Sequence, residues 1–485
     1  MRGATNRRGV SDTNELSAEL EEVFEHHSER QSGRLEVSDG ETYVGDTVTI
    51  RGADLPERES LDLVWHSSEG QWAVLEANEV IGPQYSPRTE TIGTVTTDES
   101  GTFEETWTVF EDYGGSHLLE AQTSDGETVA EAKLEIRPWF DLYRTEAPLG
   151  EAFTVIGYGL GPNFVTNNYQ VTWDNSVVGF MTGVQNRGTA TARVRAVGPP
   201  GEHVLRVWRN YYGVPYLQND TQSPFGSVAG DRQSTWTVTV TEPETEPEPA
   251  WVDPLMDERP LPVHYPDLDE DTDAELEVTP ECGQVGTEAV VTGRNFPANT
   301  EVDLVWYRHE GEHALGEPVT AEPKPDVLPT VTADADGRFQ IPVTIPECVG
   351  ATRPITANVD GKSVAVTGFM VQPTVMDISP TKGPVGTEIE IELSGIGWTE
   401  YETAPFFVYD NAYLGYVCGQ DIPTKRTVIE AAGEPGYHFI DVYPSFFPEV
   451  DADELDFSRK PHLSYIDNHP VRALPALHFA FEVTE

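Results

Sequence analysis

A turn followed by a strand occurs four times in this sequence, and this repeat constrains the fold more than any other feature. Each copy reads apolar residue, glycine, polar residue, alternating apolar and polar positions, and a closing glycine. The copies span residues 44–52, 149–157, 285–293 and 385–395. Alternation with a period of two indicates a half-buried β-strand, and the flanking glycines indicate a turn before it and a bend or bulge after it.

The sequences that follow the turns match in alternate copies. Trp65 and Trp306 each lie 20 residues after the turn glycine of the first and third copies. The second and fourth copies share an Asp-Asn pair and, later, a histidine after a Pro-Gly turn. A whole two-module unit has therefore been duplicated, and self-similarity of this kind is typical of repeat architectures.

The repeats divide the chain into modules of about 100 residues each. The segments are an N-terminal arm with a short amphipathic helix (1–34), module 1 (35–137), module 2 (138–241, with a long excursion at 211–233), an acidic Glu/Pro linker (242–273), module 3 (274–371) and module 4 (372–485, with an excursion at 444–476). We expect the linker to be extended, stiff and solvated.

Short β-branched or aromatic runs, separated by Gly, Pro, Asp and Ser turns, fill each module. About seven such runs per 100 residues predict an all-β chain of four tandem two-sheet β-sandwiches. Residues 379–388 and 279–297 resemble the opening strands of IPT/TIG immunoglobulin-like domains. The resemblance implies immunoglobulin-like sandwiches and says little about function, since such domains serve adhesins, receptors, transcription factors and polysaccharide enzymes.

The charge balance constrains the surroundings of the chain. Asp and Glu number 83 against 30 Lys and Arg, which gives a net charge of −53. Such a surface repels phosphate backbones, so we expect no nucleic acid as a partner. Because acidic residues occur throughout the chain, the charge indicates adaptation to a salt-rich environment, in which screening weakens self-repulsion, and hence a haloarchaeal or haloarchaeal-virus source.

Targeting signals are not evident in the sequence. No run of 18 apolar residues occurs, and the arginines near Met1 are not followed by an apolar core. We therefore expect neither a transmembrane segment nor a signal peptide, and no direct membrane insertion.

Few residues in the sequence indicate catalysis, metal binding or a disulfide bond. The sequence contains no GxSxG, HExxH or phosphate-loop pattern, so we assign no catalytic residue and expect no enzyme activity. The acidic run 267–273 alternates carboxylates as Ca²⁺ loops do but lacks their glycine and closing Glu, so a solvated linker is favoured and neither a metal site nor a cofactor is assigned. The carboxylates at 451–456 are treated in the same way.

Cys282 and Cys348 could form a disulfide bridge across module 3, with free buried thiols as the alternative.

The residues repeated between the halves are better explained by structure. Trp65 and Trp306 are expected in the sandwich cores, and His203 and His438 are expected to make structural hydrogen bonds at strand starts. The Asp-Asn pairs are expected in hairpin turns.

Aromatic residues on or beside the two excursions are the candidate binding residues. These are Trp208, Tyr211, Tyr212, Tyr216, Tyr443, Phe446 and Phe447. They could stack on sugars or be buried between subunits, and the alternative is that each excursion folds back on its own sandwich.

Together these features predict a non-enzymatic structural or adhesion protein of a halophilic virus particle, such as a capsid turret, spike or tail fibre, at the virion surface or otherwise extracellular. The alternative is a haloarchaeal cell-surface adhesin or carbohydrate-binding protein. We expect a homo-oligomer. The expected partners are other virion or cell-surface proteins, bound through the N-terminal arm, and a host surface glycan or receptor.

Overall fold

The structure is a computed structural model, and it is all-β apart from one short helix in the described residues. It describes residues 33–38, 40–75, 79–162, 167–211, 214–215, 234–252, 263, 266–312, 320–397, 404–418, 424–445, 460–468 and 475–485. The predicted N-terminal helix lies outside these ranges. No helix in the described part of the chain could cross a membrane.

Module 1 is built from two sheets around one core. Its strands are β1 (Arg34–Val37), β2 (Glu41–Thr42), β3 (Thr47–Ala53), β4 (Ser60–Leu75), β5 (Glu79–Thr96), β6 (Phe103–Thr108), β7 (Gly115–Gln122) and β8 (Thr128–Ile136). The sheet orders are β1-β3-β6 and β2-β8-β7-β4-β5. Trp65 is fully buried between the sheets, as predicted, and its Nε1 donates to Asp112 at 2.7 Å.

Module 3 repeats this strand order. Its strands are β19 (Glu275–Thr279), β20 (Cys282–Gly283), β21 (Glu288–Arg294), β22 (Glu301–Glu312), β23 (Thr320–Thr332), β24 (Phe339–Thr344), β25 (Ala351–Val359) and β26 (Lys362–Val371). The sheets are β19-β21-β24 and β20-β26-β25-β22-β23. Trp306 is fully buried in the core, as predicted.

Module 2 has a three-stranded and a larger sheet. Its strands are β9 (Trp139–Leu142), β10 (Glu146–Pro148), β11 (Ala152–Tyr158), β12 (Tyr169–Trp173), β13 (Ser176–Met181), β14 (Ala190–Arg195), β15 (Gly201–Tyr211), β16 (Val214–Pro215) and β17 (Thr235–Thr241). The orders are β14-β11-β9 and β10-β17-β15-β12-β13, with β16 paired to β15.

Module 4 has a similar pair of sheets and one addition from outside. Its elements are β27 (Thr374–Ser379), β28 (Lys382–Gly383), β29 (Glu388–Ser394), β30 (Phe406–Tyr409), β31 (Ala412–Tyr416), β32 (Thr424–Glu430), β33 (Gly436–Tyr443), α1 (Tyr465–Asn468) and β34 (Leu477–Val483). The sheets are β27-β29-β32 and β18-β34-β33-β30-β31, with β28 paired to β34. Strand β18 is Ala250–Val252, which belongs to the linker.

The repeated turn has the same backbone geometry in all four modules. Its glycines, Gly45, Gly150, Gly286 and Gly386, have φ of 90°, 90°, 83° and 86°, where a side chain would be strained. Each glycine N–H donates to a carbonyl beyond the neighbouring strand, at 2.8 to 2.9 Å. The turn is therefore followed by strands β3, β11, β21 and β29, as the repeat predicts.

The closing glycine lies inside the strand in the first and third copies and not at the predicted bend, whereas Gly395 of the fourth copy follows β29 with φ of 66°, as predicted. Gly52 and Gly293 remain inside β3 and β21. A Cβ at Gly52 would lie 2.2 Å from the ring of Phe103, and one at Gly293 would lie 2.1 Å from the ring of Phe339. Glycine is required here because an aromatic ring from the adjacent strand packs directly against the backbone.

Candidate functional site

Modules 2 and 4 contact each other through an apolar interface, although they are far apart in sequence. Along β33, Ile440 and Val442 point into the core of module 4, whereas Phe439 and Tyr443 belong to the hydrophobic cluster of module 2. Strand β33 of the larger sheet is therefore covered on both faces. The two halves of the chain pack against each other, because one apolar cluster contains residues from both of them.

A charged group lies inside this interface. Arg195, at the end of β14, donates from Nε to both oxygens of Asp441, at 2.9 and 3.0 Å. His478 Nδ1 lies 2.6 Å from Asp441 Oδ1. The Arg195 Nη1 group donates to Gly150 O at 2.6 Å, and Asn411 Nδ2 donates to Arg195 O at 2.6 Å.

Burial makes this charged group energetically important. The side chains of Arg195 and Asp441 are 8% and 1% exposed. Burial alone would raise the pKa of the Asp441 carboxyl, but the positive charge of Arg195 and the hydrogen bond from His478 hold it at about 2. Asp441 is therefore ionised over the physiological range, and its charge is matched by the guanidinium of the other module.

The linker contributes a strand to the same interface. Trp251 pairs with His478 in the antiparallel ladder of β18 and β34. The Arg195 guanidinium lies 4.7 Å from the centre of the Trp251 ring, within cation–π range. This part of the linker is thus a sheet strand, and the prediction of a solvated Glu/Pro spacer is wrong for residues 250–252. The reason is that β34 has an open edge that Trp251 covers.

Part of the module 4 excursion contacts module 2. Phe180 N donates to Pro461 O at 2.9 Å, and Leu463 N donates to Phe180 O at 2.7 Å. Between these bonds, the His462 ring stacks on Phe180 with centroids 4.9 Å apart. Residues 461–463 of the excursion therefore lie along the edge strand β13 of module 2, and His462 N also donates to Pro444 O of module 4 at 3.1 Å.

Buried side chains complete this contact. Ser464 Oγ accepts a hydrogen bond from Thr182 N at 2.9 Å and donates to Thr182 O at 2.8 Å. Asn468, in α1, accepts from Gln185 N at 3.0 Å. Complete burial lowers the pKa of His462 to about 3, so the ring is neutral within the interface.

The junctions between consecutive modules resemble each other. Gly114 N donates to Leu160 O at 2.9 Å between modules 1 and 2, and Gly350 N donates to Ile396 O at 2.6 Å between modules 3 and 4. The first junction also has a hydrogen bond from Trp139 Nε1 to Val44 O at 3.2 Å. Hydrogen bonds to backbone carbonyls therefore fix module 1 against module 2 and module 3 against module 4.

The predicted binding aromatics are dispersed. Tyr443 is 3% exposed, so it is an interface core residue and not a free loop aromatic. Trp208 is half-buried on β15, where its Nε1 donates to Thr172 Oγ1 at 2.8 Å and Arg206 lies 3.5 Å over its ring. Tyr211 ends β15. Four residues of the set, Tyr212, Tyr216, Phe446 and Phe447, lie outside the described residues.

The repeated histidines make the expected structural bonds. His203 Nδ1 lies 2.6 Å from Asp174 Oδ2 and its Nε2 lies 2.9 Å from Pro199 O. His438 bonds to Asp410 and to Glu434 O in the same way, at 2.5 and 2.8 Å. Burial lowers the pKa of His438, but Asp410 outweighs it and leaves the pKa above its ordinary value.

The Asp-Asn pairs are hairpin turns, as predicted. Asp174 and Asn175 have φ of 45° and 70°, and Asp410 and Asn411 have φ of 45° and 60°. Positive φ at both central residues is the geometry of a type I′ turn.

The suggested bridge in module 3 is not formed. Cys282 and Cys348 are both free thiols in the structure. Cys282 is held beside Met370 in the β20–β26 ladder, and Cys348 packs into the apolar core. Burial raises the pKa of the Cys348 thiol to about 11.

The acidic run at the end of the linker is attached to module 3. Asp269 Oδ2 accepts hydrogen bonds from Ser363 N at 2.9 Å and from Ser363 Oγ at 3.0 Å, and Glu270 pairs with Lys362 at 2.5 Å. Within the described ranges, no group of three His, Cys, Asp or Glu residues could hold a metal ion. The carboxylates at 451–456 lie outside those ranges.

Sequence reasoning missed the residues that join the halves, Arg195, Trp251, Asp441 and His478. Two local signals were available: Asp441 interrupts the otherwise apolar outer face of a strand, and Trp251 follows a Glu/Pro run in which large aromatics are unexpected. Neither signal identifies the contacting module, because the residues that meet are far apart in sequence.

No protein-family model and no curated protein matches this sequence. Among solved structures, Salmonella alpha-2-macroglobulin is 8% identical, covering 93% of this chain and 32% of its own, with a TM-score of 0.20. Red sea bream transglutaminase is 11% identical over 44% of this chain and 32% of its own, with a TM-score of 0.18. Murine CEACAM1b is 12% identical over 43% of this chain and 99% of its own, with a TM-score of 0.14. The chain thus spans about a third of the alpha-2-macroglobulin, and similarity this weak carries no argument about function.

Proposed function

We propose that this chain is a non-enzymatic structural or adhesion protein of a halophilic virus particle, a turret, spike or fibre component. In this proposal four immunoglobulin-like modules form a duplicated two-module unit, which positions contact surfaces outside the particle. The N-terminal arm attaches the unit to the particle, and copies of the chain assemble with one another.

The observation that carries the proposal is the buried interface of modules 2 and 4. A spacer must hold its ends at fixed positions, and Arg195, Asp441 and Trp251 join the two halves through a charged group and an added strand. A buried charge that loses its partner is strongly destabilising, so separation of the two halves at this ion pair is opposed. A chain of modules joined only by flexible linkers would not need such a buried interface.

The duplication is supported by details that recur between the halves. Strand orders repeat between modules 1 and 3, and the hydrogen bond of Gly114 to Leu160 recurs as that of Gly350 to Ile396. The Asp174–His203 contact likewise recurs as Asp410–His438.

The net charge of −53 supports a salt-rich environment. At low ionic strength the unscreened repulsion between carboxylates would destabilise the compact state. At about 1 M salt the Debye length is only about 3 Å, which is shorter than most separations between surface charges.

A cell-surface adhesin or carbohydrate-binding protein is the second candidate. The specific observation in its favour is a small cavity between modules 2 and 4 that is lined by arginine and aromatic side chains.

Light scattering of the purified chain tests the assembly proposal. The mass is measured at molar salt and again at about 0.1 M, and labelled antibodies locate the chain on purified particles and on cells. We expect a defined oligomer at high salt and label on the particles. A strict monomer under both conditions, with label only on cells, would contradict the virion proposal and favour the cell-surface candidate.

A further inference from the structure

The contact between modules 2 and 4 joins two surfaces that differ from each other. Module 4 contributes the outer face of β33, where Phe439 and Asp441 lie, and we call this the β33 face. Module 2 contributes the turn at Gly150 and, at the end of β14, Arg195, and we call this the turn surface. A Cβ at Gly150 would lie 2.9 Å from the Phe439 ring, so the ring packs directly on the turn. Because the two modules have similar sheets, each also has a counterpart of the surface that the other uses.

The counterpart of the β33 face in module 2 lies on β15, which has the same position in its sheet as β33. The N–H of Val204 and that of Phe439 each donate at 2.9 Å to the aspartate of the preceding hairpin turn. Val204 therefore corresponds to Phe439, and Arg206, two residues further along the same strand face, corresponds to Asp441. Phe439 is fully buried, whereas Val204 is 42% exposed. The β15 face, Val204 and Arg206, thus lacks the cover that the β33 face has.

The counterpart of the turn surface in module 4 lies at Gly386. The N–H of Gly150 donates to the carbonyl of the residue after Arg195 at 2.9 Å, and the N–H of Gly386 donates to that of the residue after Glu430 at 2.8 Å. Glu430 therefore corresponds to Arg195. A Cβ at Gly386 would meet no atom of the described residues within 4 Å, and Val385 beside it is 61% exposed. These residues form an open surface, the Gly386 surface.

The charges on the two open surfaces are complementary, with their signs exchanged relative to the buried contact. In the buried contact module 2 supplies the cation, Arg195, and module 4 supplies the anion, Asp441. On the open surfaces module 2 again has a cation, Arg206, and module 4 again has an anion, Glu430. Arg206 lies 3.5 Å over the Trp208 ring, and in the described part of the chain it makes no ion pair with a carboxylate. Both charges are therefore available to a partner.

An asparagine that contributes to the buried contact also has an exposed counterpart. Asn411 is 1% exposed and donates from Nδ2 to Arg195 O at 2.6 Å. Asn175, at the same position of the hairpin turn in module 2, is exposed. The equivalent acceptor for its amide is the backbone carbonyl of Glu430.

We propose that the β15 face of one copy of this chain binds the Gly386 surface of a second copy. In this contact Arg206 pairs with Glu430, and Val204 packs on the turn at Gly386. The two surfaces differ, so the contact is heterologous and copies join head to tail, in a ring or in a fibre. The inference rests on the assembly part of the proposed function and identifies the interface that would carry it.

Charge reversal in the full-length protein tests this contact. Sedimentation velocity is measured over a series of protein concentrations at about 1 M sodium chloride, which screens long-range repulsion between copies but screens a buried ion pair much less. We expect the wild type to associate as its concentration rises. Arg206→Glu and Glu430→Arg should each weaken association by about tenfold or more, because like charges then meet in the contact.

An equimolar mixture of the two single variants is the sharper test. The Arg206→Glu copy retains Glu430, and the Glu430→Arg copy retains Arg206, so opposite charges meet wherever the two variants alternate. The mixture should therefore associate to within about threefold of the wild type, although neither variant does so alone. The double variant Arg206→Glu, Glu430→Arg should recover association in the same way.

Arg58→Glu and Glu99→Arg are the matched controls, since these two residues form an exposed ion pair in module 1. Both should associate as the wild type does, and thermal unfolding should show that every variant is folded. Unchanged association of folded Arg206→Glu and Glu430→Arg would overturn this contact and leave assembly by another surface. A wild type that is monomeric at every concentration would also overturn it. Association that the variants lose, together with antibody label only on cells, would contradict the virion proposal and support the contact.

Discussion

Arg195 Nε lies 2.9 Å from Oδ1 and 3.0 Å from Oδ2 of Asp441, and the pair joins two modules across 246 residues of sequence. Both side chains are buried, so neither charge can be compensated by water if the other is removed. The contact therefore links the stability of module 4 to that of module 2.

Replacing Asp441 by Ala should destabilise the protein by about 3–5 kcal/mol, because the guanidinium of Arg195 is left buried without its counter-charge. Chemical denaturation at constant salt measures this. Glu390→Ala, which breaks the exposed pair with Arg426, should cost less than about 1 kcal/mol. The Arg195→Met, Asp441→Leu double variant should recover most of the loss, and a double variant as unstable as Asp441→Ala would contradict the charge argument.

Acidification should weaken the interface through His462. Its pKa is about 3 in the folded chain, below the ordinary 6.5, so the unfolded chain binds the proton first and stability falls as the pH drops from 6.5 towards 3. Asp441, with a pKa of about 2, adds a further loss below pH 3.8. His438 acts in the opposite direction, since its raised pKa contributes stability at low pH that is lost as the pH rises.

The contribution of His462 is isolated by comparing the wild type with His462→Gln. Stability measured between pH 6.5 and 4 should fall by up to about 1.4 kcal/mol per pH unit more in the wild type than in the variant. Parallel curves for the two proteins would show that His462 is not buried as described.

Trp251→Ala should destabilise the interface, because it removes the ring that covers Arg195 and His478 from the linker strand. The expected loss is about 1–2 kcal/mol, less than for a fully buried aromatic side chain because the ring is half-buried. Val252, the next residue on the same strand, is 37% exposed, and its replacement by Ala should change stability by less than about 0.5 kcal/mol. Equal effects of the two substitutions in thermal unfolding would argue against the strand pairing.

The cysteines should differ in reactivity. Cys418 is exposed and should react quickly with a thiol reagent at about pH 8. Cys348 is buried, with its pKa raised to about 11, and should react only after unfolding. Peptide mapping without reductant should recover Cys282 and Cys348 unlinked, and a linked peptide would contradict the structure.

The local features of the fold could be predicted from sequence because short-range rules determine them. The turn at Gly45 requires positive φ, the Asp-Asn pairs require a type I′ turn, and Trp65 lies on the apolar face of an alternating strand. Each of these follows from residues within a few positions of one another.

The arrangement of the modules could not be predicted in this way. Phe439 and Tyr443 alternate with core residues, so their pattern matches an outward face and does not reveal that another module covers it. The complementary charges of Arg195 and Asp441 are separated by 246 residues of sequence. Without related sequences to compare, two such residues cannot be matched among so many charged side chains.

A fixed spacing between the two halves is central to the proposed spacer function, and a distance distribution between them tests it directly. Spin labels are attached at Glu146 in module 2 and Glu434 in module 4, both exposed, after the three native cysteines are replaced by Ser. Pulsed electron resonance at high salt should give one narrow distance in the otherwise native chain and a broader distribution after Asp441→Ala. A broad distribution in both proteins would contradict the rigid attachment of module 2 to module 4.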